Sequence, residues 1–158
     1  MMNLSGSALL ADVFSQVLQE YAFLFADPIE KVSNSKCDGP FFLAAVSFTG
    51  RLRGTLSMAA PSAFACEVSA GVLGLESDST EAQIGAADAI KEFLNVICGN
   101  LLSLMADRDS IFDLALPEFS EIPVAQWLAA LSNSSAIFFL VEDWPVFLEI
   151  SFSKPQER

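Results

Sequence analysis

Residues 81–106, "EAQIGAADAIKEFLNVICGNLLSLMA", decide how this chain folds. At ~100° per residue, Ile90, Phe93, Leu94, Ile97, Leu101, Leu104 and Met105 gather on one arc of a helix. With Asp88 at zero, Glu92 falls near ~40°, Asn95 near ~−20° and Gly99 near ~20°, all on the opposite side. The spacing predicts one helix from about 81 to 106, roughly 39 Å long at ~1.5 Å per residue. Thr80 and Gln83 form a capping-box pattern at its head. A helix with so wide an apolar arc must lie on something. Its narrow polar ridge is free to meet water or a partner.

The flanking sequence supplies the support. "FFLAAVSFTG" (41–50) and "GTLSMAA" (54–60) read as strands, and Gly50 and Gly54 bracket a hairpin turn. "PSAFACEVSAGVLG" (61–74) reads as a helix closed by Gly74. Upstream, Leu10, Val13, Phe14, Val17, Tyr21 and Leu24 keep helical spacing over residues 7–27, with Ser7 as N-cap and Pro28 after the end. "EKVSNSKCDGP" (30–40) is loop material. Downstream, "IFDLAL" (111–116) reads as a strand closed by Pro117, and "VAQWLAAL" (124–131) as a short helix with Trp127 inward. "AIFFLVEDW" (136–144) and "VFLEISF" (146–152) read as strands joined near Pro145. In the last, Val146, Leu148, Ile150 and Phe152 share a face, which predicts a half-buried strand.

Strands near both ends with helices between them predict an α+β (α/β) fold, an antiparallel-rich sheet covered by two long helices. All of residues 1–158 form one domain. "LFAD" (24–27) and "LMAD" (104–107) each close a long helix, a faint sign of an internal helix-then-strands duplication. Aligning them puts Ala8, Asp12 and Ser15 where Asp88, Glu92 and Asn95 stand. Glu and Asn are missing from the first helix, so one site per chain is expected.

Composition excludes several functions. Net charge is −12, and a polyanion is repelled by phosphate backbones and anionic lipid. Nucleic acid and membrane are therefore not expected partners. The absence of His removes Ser-His and Cys-His catalysis and most zinc chemistry, and no metal site is expected. Cys37, Cys66 and Cys98 form no CxxC; the latter two sit in apolar helical runs and read as core residues. No run reaches the ~20 apolar residues of a membrane span. The first residues carry an initiator Met and no basic group before their apolar part, which argues against a secretory signal and predicts a cytoplasmic protein.

Glu92 suits any solvated face. Asn95 does so less well, because its amide competes for backbone hydrogen bonds. Gly99 costs the helix about 1 kcal/mol against Ala and lets a partner's backbone come close. Asp88-x3-Glu92-x2-Asn95, with Pro117 further on, resembles the signature of the CheC/CheX/FliY phosphatases of bacterial chemotaxis. "EFLNVICGN" is similar to the CheX style, and "FTGRLRGTLSMAAPSAFACEVSAGVLG" (48–74) resembles that family's hairpin and following helix.

The resemblance implies a body of two related halves with long helices on a sheet. It also implies an aspartyl-phosphate phosphatase, acting on the receiver domain of a CheY-type response regulator. Such an acyl phosphate is already activated, so hydrolysis mainly needs a water held in line with phosphorus. The receiver would bring Mg²⁺, the phosphorylated Asp and a Lys; no cofactor of this chain's own is implied. Asn95 would then position the water, as an amide can accept one hydrogen bond and donate another. Glu92 would dock on the receiver's Lys, and Asp88 would extend that contact, support the helix or simply be solvated. Pro117 would only shape the strand after the helix. CheX-type proteins are dimers, and the two C-terminal strands leave room for edge-to-edge pairing between copies. The alternatives are a non-catalytic receiver-binding module and a structural subunit of the same fold.

Overall fold

Gly50 and Gly54 turn the chain between the two strands that anchor its sheet. Gly50 holds φ at 146°, which side chains disfavour, and any Cβ on Gly54 would strike the Ser151 carbonyl of the last strand. The computed structural model describes residues 2–32, 39–106, 109–133 and 135–153. Its elements are α1 (Met2–Ala22), β1 (Ala26–Ile29), β2 (Phe41–Gly50), β3 (Gly54–Pro61), α2 (Ser62–Leu73), α3 (Thr80–Ile84) and α4 (Ala86–Met105). Then follow β4 (Phe112–Leu114), β5 (Glu118–Ile122), α5 (Val124–Leu131), β6 (Ile137–Val141) and β7 (Trp144–Phe152).

All strand pairings are antiparallel, in the order β1-β6-β7-β3-β2-β4, with β5 also on β2. The mixed α/β fold expected from the sequence is thus present. Alternation along the strands sorts the core into two. Phe42, Ala44, Val46 and Phe48 of β2, with Leu56, Met58, Val146 and Leu148, face α1, α2 and α4. Phe41, Ala59 and Phe147 point the other way, and with Ile122 they receive Trp127 of α5. The Trp127 ring stacks on Phe41 at 4.7 Å, so α5 covers the sheet's second face as a small lid. β7 is consequently buried on both faces from Pro145 to Leu148, not on one as the alternation predicted.

Several expectations change in detail. α1 starts at Met2, so Ser7 lies inside it and caps nothing. It ends at Ala22 because Phe23 adopts a left-handed φ of 61°. The residues read as its tail form β1, a short edge strand whose Pro28 stands opposite Phe139. "LFAD" thus follows its helix while "LMAD" begins inside α4, so the echo marks no equivalent positions. The long helix divides at Gly85, where a Cβ would press on Ser69 Oγ at 3.1 Å. Its cap is Ser79, not Thr80: the Ala82 N–H donates to Ser79 Oγ at 3.2 Å. α4 itself is 20 residues, roughly 30 Å. Leu104, on its core arc, is 62% exposed at the helix end.

After Pro117, the unpredicted strand β5 continues β4 along β2. Phe48 pairs with Leu114 and Ala45 with Glu118. Ala115, Leu116 and Pro117 thus stand against Ser47 and Val46, a bulge at the sheet edge. The C-terminal strands are not edges. β6 lies between β1 and β7, and β7 between β6 and β3, so their backbone groups are already paired. The proposed edge-to-edge contact through those strands is therefore closed. Pro145 lies in β7, not at the turn. Cys98 is fully buried and Cys66 half-buried, both as free thiols; Cys37 lies outside the described residues.

Candidate functional site

Three helices lie on one face of the sheet, and α4 presses Ile90, Phe93, Leu94, Ile97, Cys98 and Leu101 into the shared core. That burial fixes which side of α4 looks outward. Asp88 and Glu92 are exposed, and Asn95 and Gly99 are partly exposed. The four residues singled out in the sequence thus share one outward ridge. Pro117 is not part of α4; it lies in the bulge between β4 and β5.

The ridge is chemically uncommitted. The side chains of Asp88, Glu92 and Asn95 make no hydrogen bond and no ion pair with any other described residue. Other polar groups are engaged: Gln16 Nε2 donates to Glu20 at 3.2 Å, and Asn133 Nδ2 to Glu149 at 2.7 Å. Lys91, beside the ridge, pairs with neither carboxylate. The break at Gly85 gives Asp88 a second, structural reason to exist, since it falls in the first turn of α4. A carboxylate there is favoured by the helix dipole.

Asn95 sits deeper than the two carboxylates. Its amide oxygen is enclosed and has no hydrogen-bond partner, while its amide nitrogen is not sealed in this way. Rotating the amide exchanges the two atoms and leaves one polar atom unpartnered in the enclosed position either way. An unsatisfied buried polar atom is uncommon in native proteins and costs free energy. One turn on, a Cβ at Gly99 would meet nothing within 4 Å. No packing inside this chain requires glycine there. The Gly99 carbonyl accepts from Ser103 Oγ at 2.9 Å, so the helix continues unbroken past it.

One neighbour of the ridge was read in the sequence only as an apolar position. Tyr21, in the last turn of α1, stacks on Phe93 with ring centroids 5.8 Å apart and planes 13° from parallel. Its phenol is pushed above the ordinary value, first by burial and then by the negative charge of Glu92. No local pattern could have linked Tyr21 to Glu92; the packing of α1 against α4 makes them neighbours. Among the described residues, no helix is long and apolar enough to cross a membrane.

The matched part of the chain contains this whole ridge. A model of the family described as chemotaxis phosphatase CheX fits residues 42–126, from β2 into α5. No curated protein matches the chain in sequence. Among solved structures, a chemotaxis protein CheX from Desulfovibrio desulfuricans superposes with a TM-score of 0.69 at 19% identity, over 94% of this chain and 99% of that one. CheX from Vibrio vulnificus gives 0.69 at 18% identity, over 94% and 96%. A CheX-CheY-BeF3-Mg+2 complex from Borrelia burgdorferi gives 0.65 at 18% identity, over 93% and 97%. At such identities the superpositions report likeness of fold. The family model spans more than half of the 158 residues, and it takes in the hairpin, α2 and the α4 ridge together: the chain belongs to the CheX family of chemotaxis phosphatases.

Proposed function

We propose that this chain accelerates hydrolysis of the aspartyl phosphate on a CheY-type receiver domain. One observation carries the reading: a rigid helix presents two carboxylates and an amide that have no side-chain partner among the described residues. The similar protein from Borrelia burgdorferi was solved as a complex with CheY, and this chain shares its fold.

Asn95 is the water-positioning residue. With the amide rotated so that its oxygen replaces the nitrogen on the outward side, it accepts a hydrogen bond from the attacking water and adds no charge next to a phosphoryl group. A carboxylate aimed at the phosphorus would instead be repelled. Glu92 therefore docks on the receiver's active-site lysine, in a charge-assisted contact that strengthens as water is excluded. Asp88 extends that contact, and Gly99 lets the receiver's backbone approach the helix. The divalent cation belongs to the receiver, where Mg²⁺ neutralises charge on the phosphoryl oxygens.

The reaction takes place in the cytoplasm, and the chain works as a homodimer. Support for association lies at the outer edge of the sheet, where Ile111 and Leu116 beside the β4–β5 bulge are 82% and 90% exposed. A monomeric mass at micromolar concentration would contradict the dimer.

The test is the decay of a phosphorylated receiver with and without this protein. The expected result is loss of phosphate faster by about tenfold or more. Tight binding with unchanged decay would instead make the chain a sequestering module.

A further inference from the structure

Glu92 is exposed, and among the described residues its side chain has no hydrogen bond or ion pair, so a carboxylate on a flexible stem must be ordered whenever the ridge docks. Ordering such a side chain costs conformational entropy. The nearest means of reducing that cost comes from another helix. Tyr21 projects from the last turn of α1, and its ring lies nearly parallel to that of Phe93, the residue after Glu92. The stack fixes the ring, because Phe93 is itself fully buried. Tyr21 is only half-buried, so it is not sealed into the core as Phe93 is.

This step rests on the receiver-docking reading above. We propose that Tyr21, held against α4 by its stack on Phe93, is a positioning residue for Glu92: its hydroxyl offers the carboxylate a hydrogen bond as a partner excludes water. The neutral hydroxyl is the donor form, and both burial and the charge of Glu92 favour it. No hydrogen bond joins the two residues in the free chain, so docking completes the contact. A Phe at this position would keep the stack and lose the donor.

The chain has a single tyrosine, so the near-ultraviolet phenolate absorbance reports Tyr21 alone. Glu92→Gln is expected to lower its titration midpoint, and an unmoved midpoint would overturn the coupling. Kinetically, Tyr21→Phe is expected to raise KM for the phosphorylated receiver roughly three- to tenfold and leave kcat unchanged. On a Glu92→Gln background the same change is expected to do nothing further. A Tyr21→Phe enzyme with the wild-type KM, or one whose effect persists without the Glu92 carboxylate, overturns the assignment. A wild-type chain that leaves the receiver's decay unchanged defeats the phosphatase reading, and the titration still judges the Tyr21–Glu92 pair by itself.

Discussion

Asn95 and Gly99 stand one turn apart on α4, and each departs from what a solvated helix face needs. The amide oxygen of Asn95 is enclosed without a partner, and the missing Cβ of Gly99 faces open space. Neither choice helps the isolated chain. Both lower its stability, and both make sense if a second molecule docks here: Gly99 leaves room for it, and rotation of the Asn95 amide turns the oxygen outward to meet it. Local departures from stability-favouring choices are expected to gather at functional sites.

Gly99 supplies the first prediction. Gly99→Ala should stabilise the chain by up to about 1 kcal/mol, since Ala is the better helix former and no atom obstructs its Cβ. Gly99→Leu should fold as well as the Ala variant and bind the receiver more weakly. Urea unfolding and a binding titration check the two halves. A Leu variant that binds as tightly as wild type would remove the close-approach role.

Asn95→Ala should not destabilise the fold. Truncating a part-buried side chain ordinarily costs stability. Here it also removes an enclosed, unpartnered oxygen, worth about 1–3 kcal/mol, and installs a better helix former. The expected outcome is an unfolding free energy equal to wild type or higher by about 1 kcal/mol. A clear loss would mean that the amide is satisfied in solution.

Glu92→Lys should weaken the complex with the phosphorylated receiver by about tenfold or more, because it sets two cations against each other. At saturating receiver the turnover should fall much less than the affinity. Equal affinity for the two proteins would exclude docking on a lysine.

Alkaline pH should destabilise the fold through Cys98. Burial pushes its thiol from 9.0 up to about 11. The native state thus holds the proton over a range in which the unfolded chain releases it. Stability from this group is complete below pH 9 and is lost progressively as pH rises toward 11. Tyr21, also raised, adds to the same slope. Unfolding midpoints across that window should fall less steeply for Cys98→Ala; an identical slope would show that the thiol plays no part.

What the sequence revealed depended on how local each signal was. The β2–β3 hairpin was legible because Gly50 and Gly54 mark the turn. α2 was legible because Gly74, at φ 69°, closes it. The ridge was legible because eight core residues of α4 leave a single face for Asp88, Glu92, Asn95 and Gly99. β1 was hidden by its length of four residues and by Pro28, which reads as a helix stop. β5 was hidden because Glu118, Ser120 and Glu121 face outward on an edge. The interior places of β6 and β7 follow from pairing with residues far away in sequence, to which no short window is sensitive. The placement of Tyr21 beside Glu92 was invisible for the same reason.

The most direct test of the central claim compares wild type and Asn95→Ala on one phosphorylated receiver, with decay rate and affinity measured together. The account predicts that wild type speeds phosphate loss, and that the variant binds with similar affinity yet leaves the receiver at its unassisted rate. An Asn95→Ala protein that binds and dephosphorylates as wild type does would contradict it.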